Sequence, residues 1–418
     1  MVIRESRVPP ALPFQRAEDP LDPPPEFGIW QRDEPVRRVT AGGVPAWLVT
    51  RYDDVRRLLR DARLSCDPSR AGYPAFRPDQ PPPARGYLPS MDPPEHTDLR
   101  RAVMHSSLVN GVDRLRPAIE RHAHELLDEL VLLPQPVDLL ERFALALPVR
   151  VICELFGVPP GDQSVFEECA VVIARRSASG AEVAAAYGSL KAYLAQLVEA
   201  KEREPADDLL SELVEHVRTG ELTRDQVVGL GLPLLTGGHA TTANQIALSV
   251  AALLRDPDQL PLLLADPASL SRAADELLRY LTVVHFGLRR VATAEIPVGD
   301  TVIQPGDGVV LSLQSANRDP EAFPDPDRLD LARGADGTRV SGHVAFGHGI
   351  HRCPGHALAR AELEIALDVL FRRLPGLRLA VAFERIPFDD DSLLHGVREL
   401  PVAWDTNGSD PVDVDGRN

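Results

Sequence analysis

The stretch that decides the fold is HVAFGHGIHRCPGHALARAELEIAL, residues 343–367. Four histidines and one cysteine lie within 343–356, and Gly347, Gly349 and Gly355 would let the backbone pack closely against a flat ligand. The sequence predicts a helix over 355–374, whose positive N-terminal end would point at the sulfur of Cys353. Such a setting favours the thiolate form of the cysteine.

Two metal chemistries fit this stretch. In the first, Cys353 is the one protein ligand on an open face, which suits haem iron because the porphyrin supplies the equatorial ligands. In the second, His343, His348, His351 and Cys353 bind zinc, although their irregular spacing lacks the paired ligands of structural zinc sites. An inert buried cysteine beside surface histidines is the third interpretation. The residues favour haem over zinc.

Composition narrows the class of protein. The chain has 418 residues, and 45 Lys+Arg against 62 Asp+Glu give a formal charge of −17, which argues against nucleic acid or anionic lipid as partners. The four cysteines, Cys66, Cys153, Cys169 and Cys353, are too scattered for a secreted disulfide framework. The first residues also lack the apolar stretch of a signal peptide. We therefore expect a folded soluble protein of the cytoplasm.

One uncharged run, 227–254, is long enough to span a bilayer. Its middle carries Thr236, His239, Asn244 and other polar residues, which lipid penalises. The run therefore predicts a helix buried inside protein, with no membrane partner.

Most of the chain has helical patterning, so the predicted fold is mainly α with small β-sheets. The predicted helices include 53–61, 93–105, 112–133, 139–156, 181–204, 224–254, 268–281 and 355–374. Predicted strands cover 46–50 and 291–313, the latter broken by turns at Gly299-Asp300 and Pro305-Gly306. The proline-rich segments 1–30 and 67–89 should be loops or extended chain, and the polar tail 405–418 should fray. No repeat or linker divides the chain, which predicts one domain over 1–418.

Two helix starts carry the residue pattern of a capping box. Asp92 precedes Pro93 at the expected first helical position, with Glu95 three residues later. Thr223 stands three residues before Gln226.

A resemblance joins these observations. The pattern Phe346-Gly347-x-Gly349-x-His351-x-Cys353-x-Gly355 resembles, at every fixed position, the haem-binding signature of the cytochrome P-450 superfamily. WLVTRYDDVRRLL (47–59) and MDPPEHTDLRR (91–101) extend the resemblance towards the N-terminus. It implies the P-450 fold and a b-type haem with Cys353 as axial thiolate. It further implies a monooxygenase that inserts one oxygen atom of O2 into a small, largely apolar substrate, as in antibiotic and other natural-product biosynthesis.

The resemblance also assigns residues to the haem and its support. His96 and Arg100 lie four residues apart on one predicted helix face and, with Arg290 and His351, would bind the haem propionates. Phe346, Gly347 and Gly355 would pack around the haem. Glu276 and Arg279 match the family's buried Glu-x-x-Arg pair, joined by Arg333, as a structural cluster behind the haem.

The centre of the long helix resembles the family's oxygen-activating bend, which implies that Gly238, Ala240 and Thr241 are catalytic. Adjacent glycines weaken the helix there, and the Thr241 hydroxyl would pass protons. The family usually has Asp or Glu at the position of Ala240. His239 or water could replace that acid, or the substrate could supply a polar group. The enzyme could also run peroxide-driven oxidation, nitration or oxidative coupling.

Substrate contacts follow from the resemblance as well. They are Leu234, Leu235, Val284, His285, Phe286 and Leu394. The substrate could arrive free or bound to a carrier protein.

The chain contains no nucleotide-binding glycine loop and no cysteine set for an iron–sulfur cluster, so electrons must come from a ferredoxin and an NAD(P)H ferredoxin reductase. Candidate docking residues are Arg101, Arg114, Arg116, Arg352, His356, Arg360, Arg372 and Arg373. A haem-binding sensor or carrier is the non-enzymatic alternative.

Overall fold

The computed structural model describes residues 9–405 except 13, 15, 78, 160 and 336–341. Helices make up most of this part of the chain. They are α1 (Glu26–Asp33), α2 (Tyr52–Leu58), α3 (Glu95–His105), α4 (Ser107–Asn110), α5 (Val112–Leu130), α6 (Ala146–Phe156), α7 (Gln163–Ala174), α8 (Gly180–Arg203), α9 (Leu209–Arg218), α10 (Arg224–Arg255), α11 (Leu260–Leu263), α12 (Pro267–Leu281), α13 (Leu313–Ala316) and α14 (His356–Arg373). A π-helical turn, Leu140–Leu145, precedes α6.

The strands are short and form small sheets. They are β1 (Val36–Ala41), β2 (Val44–Val49), β3 (Leu64–Ser65), β4 (Val137–Asp138), β5 (Leu288–Ala292), β6 (Ile296–Val298), β7 (Thr301–Ile303), β8 (Gly308–Leu311), β9 (Arg378–Leu379) and β10 (Pro401–Ala403). The largest sheet has the order β1-β2-β8-β5-β3, in which β2 and β8 are parallel and the other pairs antiparallel. The mainly α class with small sheets is therefore confirmed.

The principal core lies among the helices, with α10 at its centre. This 32-residue helix packs against α6, α8, α12 and α14, and nearly all of its C-terminal half is buried. Burial against protein on every side explains its uncharged run without a bilayer. No helix in the described part of the chain is long and apolar enough to cross a membrane.

One of the two predicted capping boxes is confirmed. The Thr223 hydroxyl accepts from the Gln226 amide at 3.3 Å, and the Gln226 side chain accepts from the Thr223 amide at 2.9 Å. The start predicted at Asp92 is wrong, because α3 begins at Glu95 after Pro94 without a side-chain cap. The Asp92 carboxylate accepts from the Cys66 amide at 2.9 Å instead, so a contact remote in sequence replaces the local one.

The proline-rich N-terminal segment also departs from expectation. Its C-terminal part enters α1, because Pro25 already has the helical φ of −63° at the helix start and Phe27 is buried against the sheet. Residues 1–8 and the tail 406–418, which was expected to fray, lie outside the described residues.

Candidate active site

A cavity of about 350 Å³ lies between α10 and the loop that carries Cys353. Its walls are mostly apolar, with Leu230, Leu234, Val283 and Leu358 among the lining residues. The polar groups that reach it are concentrated near the cysteine and on one face of α10. A cavity of this lining suits a largely apolar ligand that carries a few polar groups at one end.

The loop from Val344 to Gly355 forms the floor of the cavity and is shaped by local bonds. The Cys353 amide donates to the Phe346 carbonyl at 2.9 Å, and the Gly347 amide donates to the Val344 carbonyl at 2.8 Å. Gly347 and Gly349 have φ values of +69° and +73°, a region that glycine adopts without strain. The α14 helix begins at His356 directly after this loop, close to the predicted start.

The protonation of Cys353 corrects one expectation. Burial raises the pKa of its thiol, although the Gly355 amide and the charges of Arg100 and Arg352 act in the opposite direction. The positive N-terminal end of α14 is therefore not sufficient to deprotonate Cys353. A coordinated metal ion deprotonates a cysteine thiol outright, so the thiolate depends on the metal.

Two cations face the cavity beside the floor. Arg100 donates to the Arg352 carbonyl at 2.6 Å, and Arg290 donates to the Arg289 carbonyl at 2.7 Å. Among the described residues, neither guanidinium has a carboxylate within 4.0 Å, whereas most other arginines have one. Strand β5 brings Arg290 there by pairing with β8 opposite Val309.

Two histidines complete the polar rim. The rings of His96 and His351 lie 4.1 Å apart, and His351 Nε2 lies 3.2 Å from Cys66 Sγ. His351 lines the cavity and His96 stands behind it, buried, with both ring nitrogens unpartnered. Burial lowers the pKa of His96 to about 4 and that of His351 to about 3, so both rings are neutral donors at pH 7.

These donors match a flat cofactor that carries two carboxylates. Arg100 and Arg290 supply cations without a carboxylate partner at one edge, and His96 and His351 supply neutral N–H donors there. Phe346, Gly347, Cys353 and Gly355 form the face below. The residues therefore fit haem. The zinc interpretation receives no support, because no cluster of three or more His, Cys, Asp or Glu side chains suited to a metal occurs in the described part of the chain.

The opposite wall is the middle of α10, which runs through Gly237 and Gly238 without a break. Gly238 packs tightly on Ile152, since a Cβ there would lie 3.2 Å from Ile152 Cδ1. Thr241 lines the cavity and donates its hydroxyl to the Gly237 carbonyl of its own helix. The opened turn expected from the paired glycines is thus absent, and the hydroxyl oxygen keeps an acceptor position.

Ala240, where the family usually has an acidic residue, lies outside the cavity lining. The Ala240 carbonyl accepts from the Asn244 side chain at 2.9 Å. His239 is buried, lies outside the lining and has both ring nitrogens unpartnered, and burial lowers its pKa to about 4. A neutral ring buried outside the cavity is not positioned to replace the acid, so this hypothesis receives no support.

Sequence reasoning assigned no role to several polar residues of the cavity, of which Glu362 and Gln245 have unpartnered oxygens. Glu362 on α14 and Gln245 on α10 both line it, and each has an unpartnered side-chain oxygen, Oε2 and Oε1 respectively. Burial raises the pKa of Glu362 to about 8, so its carboxyl is largely protonated at neutral pH. The sequence did contain a signal for Glu362, because this residue interrupts the apolar face of the helix predicted over 355–374.

Behind the floor, Glu276, Arg279 and Arg333 form a buried ionic cluster. Glu276 and Arg279 are 0 % exposed, with Arg279 Nε 2.7 Å from Glu276 Oε2. Arg333 Nε lies 3.0 Å from Glu276 Oε1. Arg279 also donates to the Asn317 carbonyl at 2.7 Å, which ties α12 to the chain that follows α13.

The predicted substrate residues are divided in the structure. Leu234 and Val284 line the cavity. Leu235 packs into the helical core instead, and His285 lies against Phe286, with ring centroids 4.1 Å apart, outside the lining. Leu394 belongs to the C-terminal loop and donates its amide to the Ser392 hydroxyl at 3.0 Å.

Three segments are joined by polar contacts and are called the roof here: loop 67–89, whose Leu88 and Pro89 line the cavity, the α7–α8 turn 175–179 and loop 389–396. The Gly180 amide donates to Asp79 of the first loop at 2.6 Å. The Ser177 amide donates to Asp391 of the third segment at 2.9 Å, and the Leu393 amide donates to the Ala174 carbonyl at 2.8 Å. The α7–α8 turn is thus held from both sides.

Known proteins share this arrangement. The family model described as "Cytochrome P450" matches residues 269–375. "Cytochrome P450-SU2" of Streptomyces griseolus is 45% identical over 412 residues, 97% of this chain and 100% of that protein. Pentalenic acid synthase of Streptomyces avermitilis is 42% identical over 95% of this chain and 98% of its own. The crystal structure of CYP105P1 in complex with filipin I superposes with a TM-score of 0.89 at 40% identity, covering 95% of this chain and 99% of that one.

Proposed function

The chain belongs to the cytochrome P450 family, and from this premise we propose how its own residues carry out the reaction. It is a haem-thiolate monooxygenase of secondary-metabolite biosynthesis. The reaction consumes one O2, two electrons and two protons, and it yields one oxidised substrate and one water. The bound haem supplies the iron chemistry that divides the two oxygen atoms of O2 between substrate and water.

Cys353 holds the iron, and four side chains hold the carboxylates of the cofactor. Arg100 and Arg290 provide charge-assisted hydrogen bonds, which are stronger than neutral ones. His96 and His351 add neutral N–H donors. The observation that carries this assignment is the absence of any carboxylate within 4.0 Å of Arg100 or Arg290 among the described residues, together with the orphaned nitrogens of His96.

Thr241 is the proton-handling residue of the cavity. Its hydroxyl donates to the Gly237 carbonyl, so its oxygen is free to accept a hydrogen bond from a water or a substrate hydroxyl beside it. Gly238 lets α10 pack closely against Ile152 of α6, because any side chain at this position would contact Ile152. Water or a polar group of the substrate then supplies the proton that a carboxylic acid at position 240 would relay.

The substrate is small and largely apolar, as the leucines and valines of the wall indicate. Leu234 and Val284 contact it, while His285, Phe286 and Leu394 influence it through the roof. Electrons come from a ferredoxin and an NAD(P)H ferredoxin reductase, since the cysteines form no iron–sulfur cluster site in the described chain. The four cysteines are free thiols, which suits a reducing cytoplasm.

Ala240 favours one second candidate, a peroxide-driven oxidation that needs neither the electrons nor the relay of protons. A single experiment separates the two. The purified enzyme is given candidate substrates either with ferredoxin, reductase, NADPH and ¹⁸O2 or with hydrogen peroxide in unlabelled water. Product that carries one ¹⁸O, formed only in the first mixture, supports the monooxygenase route.

A matched pair of variants tests the roles on α10. Thr241→Ala should lower the fraction of NADPH that ends in product severalfold, whereas Thr236→Ala, which removes a hydroxyl bonded to Leu232 outside the cavity lining, should not. Equal coupling in both variants would remove Thr241 from the mechanism. The same assay with free substrate and with substrate attached to a carrier protein shows which form is used.

A further inference from the structure

The arginines around the cysteine loop fall into two groups with different partners. The group on α5 and α14, called the α14 side here, is mostly neutralised by carboxylates, although Arg114 of α5 has none within 4.0 Å among the described residues. Arg116 pairs with Glu364 at 3.1 Å, Arg360 with Asp275 at 2.8 Å and Arg372 with Asp368 at 2.6 Å. Arg373 pairs with Asp128 at 2.6 Å. Most of the arginines expected to attract an acidic partner are therefore already paired within the protein.

The second group lies where α2 meets the cysteine loop and consists of Arg56, Arg60 and Arg352 with Ile350, called the arginine edge here. Among the described residues, none of these three arginines has a carboxylate within 4.0 Å. The Arg57 beside them differs, because it pairs with Asp54 at 3.4 Å. All three charges act together on His348 and help to lower its pKa.

The arginine edge is joined to the floor of the active site by direct packing. A Cβ at Gly349 would lie 3.1 Å from Arg60 Cγ and 2.5 Å from the Leu59 carbonyl, so α2 and the loop are in close contact. Arg352 immediately precedes Cys353, and its carbonyl accepts from Arg100 at 2.6 Å. A molecule docked on this edge would therefore contact the chain at a residue adjacent to Cys353.

An apolar residue lies beside these charges in the chain. Ile350 follows Gly349, which packs on Arg60, and stands two residues before Arg352, and it is 50% exposed. An exposed aliphatic group next to cations without carboxylate partners suits an interface with an acidic protein, in which the apolar group anchors and the charges steer.

We propose that the arginine edge, and not the α14 side, is the docking surface for the reduced acidic ferredoxin that supplies electrons. The overall charge of −17 repels an acidic partner, so attraction has to come from cations that no internal carboxylate neutralises. Each docking event transfers one electron, which oxidises the ferredoxin and reduces the enzyme by one equivalent. The proposal rests on the proposed function, because it specifies the partner of the same site.

The test compares two charge-reversed variants of the holoenzyme. Arg56→Glu/Arg60→Glu alters the arginine edge, and Arg372→Glu/Arg373→Glu is the matched control on the α14 side. Binding of an oxidised acidic bacterial ferredoxin is measured by calorimetry at low and high salt. The first electron transfer is followed by stopped flow under carbon monoxide.

The edge variant should bind ferredoxin at least tenfold more weakly at low salt and lose most of the salt dependence. The control should stay within about threefold of the wild type. Ile350→Asn should weaken binding severalfold and leave the salt dependence intact, because it removes the apolar anchor and no charge. Reduction by dithionite under carbon monoxide should be the same in all variants, which shows that they are folded and loaded.

An edge variant that binds as tightly as the wild type, or a control variant that loses more affinity than the edge variant, overturns the proposal. If the edge variant does not load with haem, the Ile350→Asn result and the salt dependence of the wild type decide alone. A wild-type enzyme that forms no product with ferredoxin and reductase refutes the proposed function instead, so the two failures are distinguishable.

Discussion

The floor and the roof of the cavity are built in opposite ways. The floor is a short run of chain, Val344 to Gly355, closed by backbone bonds between residues at most seven positions apart. The roof joins three segments through polar contacts between residues 101 to 219 positions apart. The difference indicates that the part of the cavity that carries Cys353 is encoded locally. The roof is assembled from polar contacts at or near the surface, which a single substitution can remove at small cost to the core.

The largest expected effect lies in the floor. Cys353→Ala removes the only ligand that the protein offers to the iron from this loop, so the reduced protein should lose the red-shifted carbon monoxide band completely. The absorption spectrum of the reduced protein under carbon monoxide measures this. Cys66→Ala is the control, because Cys66 contacts His351 and not the iron site, and it should keep the band. Retention of the band in Cys353→Ala would overturn the whole assignment.

The second effect lies directly behind the floor. Glu276→Gln leaves Arg279 and Arg333 buried without their counter-charge, and breaking such a pair costs about 3–5 kcal/mol. Urea unfolding of the holoenzyme should show a loss of that size. Asp98→Asn removes an exposed pair with Arg101 and should cost less than about 1 kcal/mol. Similar losses in the two variants would show that burial does not decide the contribution.

A third prediction concerns the pH dependence of stability at α14, the helix that directly follows the floor. Glu362 has its pKa raised from 4.5 to about 8 by burial. Below pH 4.5 both folded and unfolded chains hold the proton. Between pH 4.5 and 8 only the unfolded chain ionises, so this group lowers the free energy of unfolding by up to about 1.4 kcal/mol per pH unit. Above pH 8 both ionise and the slope vanishes.

Glu362→Gln should therefore remove part of the fall in stability between pH 5 and pH 8 while leaving the value at pH 4.5 nearly unchanged. Urea midpoints of the wild type and the variant across this range measure the difference. Parallel pH profiles would mean that the carboxyl has a partner when the cofactor is bound.

The smallest effect is expected in the roof. Asp391→Ala removes the acceptor of the Ser177 amide and hydroxyl, which are bonds worth about 1 kcal/mol each at most in an exposed position. Substrate affinity, followed by the spin-state shift of the holoenzyme, should fall about fivefold. Asp390→Ala is the matched control, since only the Asp390 carbonyl is used, by Arg176. A loss of global stability in Asp391→Ala would place this residue with the floor.

Helix positions and one cap were predictable because they depend on neighbours in sequence. The Thr223 cap needs only Gln226, three residues away, and α10 needs only its own apolar pattern. Asp92 shows where this reasoning fails. Its carboxylate accepts from the Cys66 amide, which follows β3, and does not cap α3 as the local pattern predicted.

The sequence by itself determined the cysteine loop and the helices around it, since short-range bonds and glycine conformations specify them. The resemblance, and not any local pattern, pointed to the residues that would face a flat dicarboxylate cofactor. The tertiary structure alone decided which arginines are neutralised, that His239 lies outside the cavity lining and that Glu362 does line it. Ion pairs such as Arg360–Asp275 join helices 85 residues apart. Which faces of two helices meet depends on the packing of the whole core, and no local pattern contains that information.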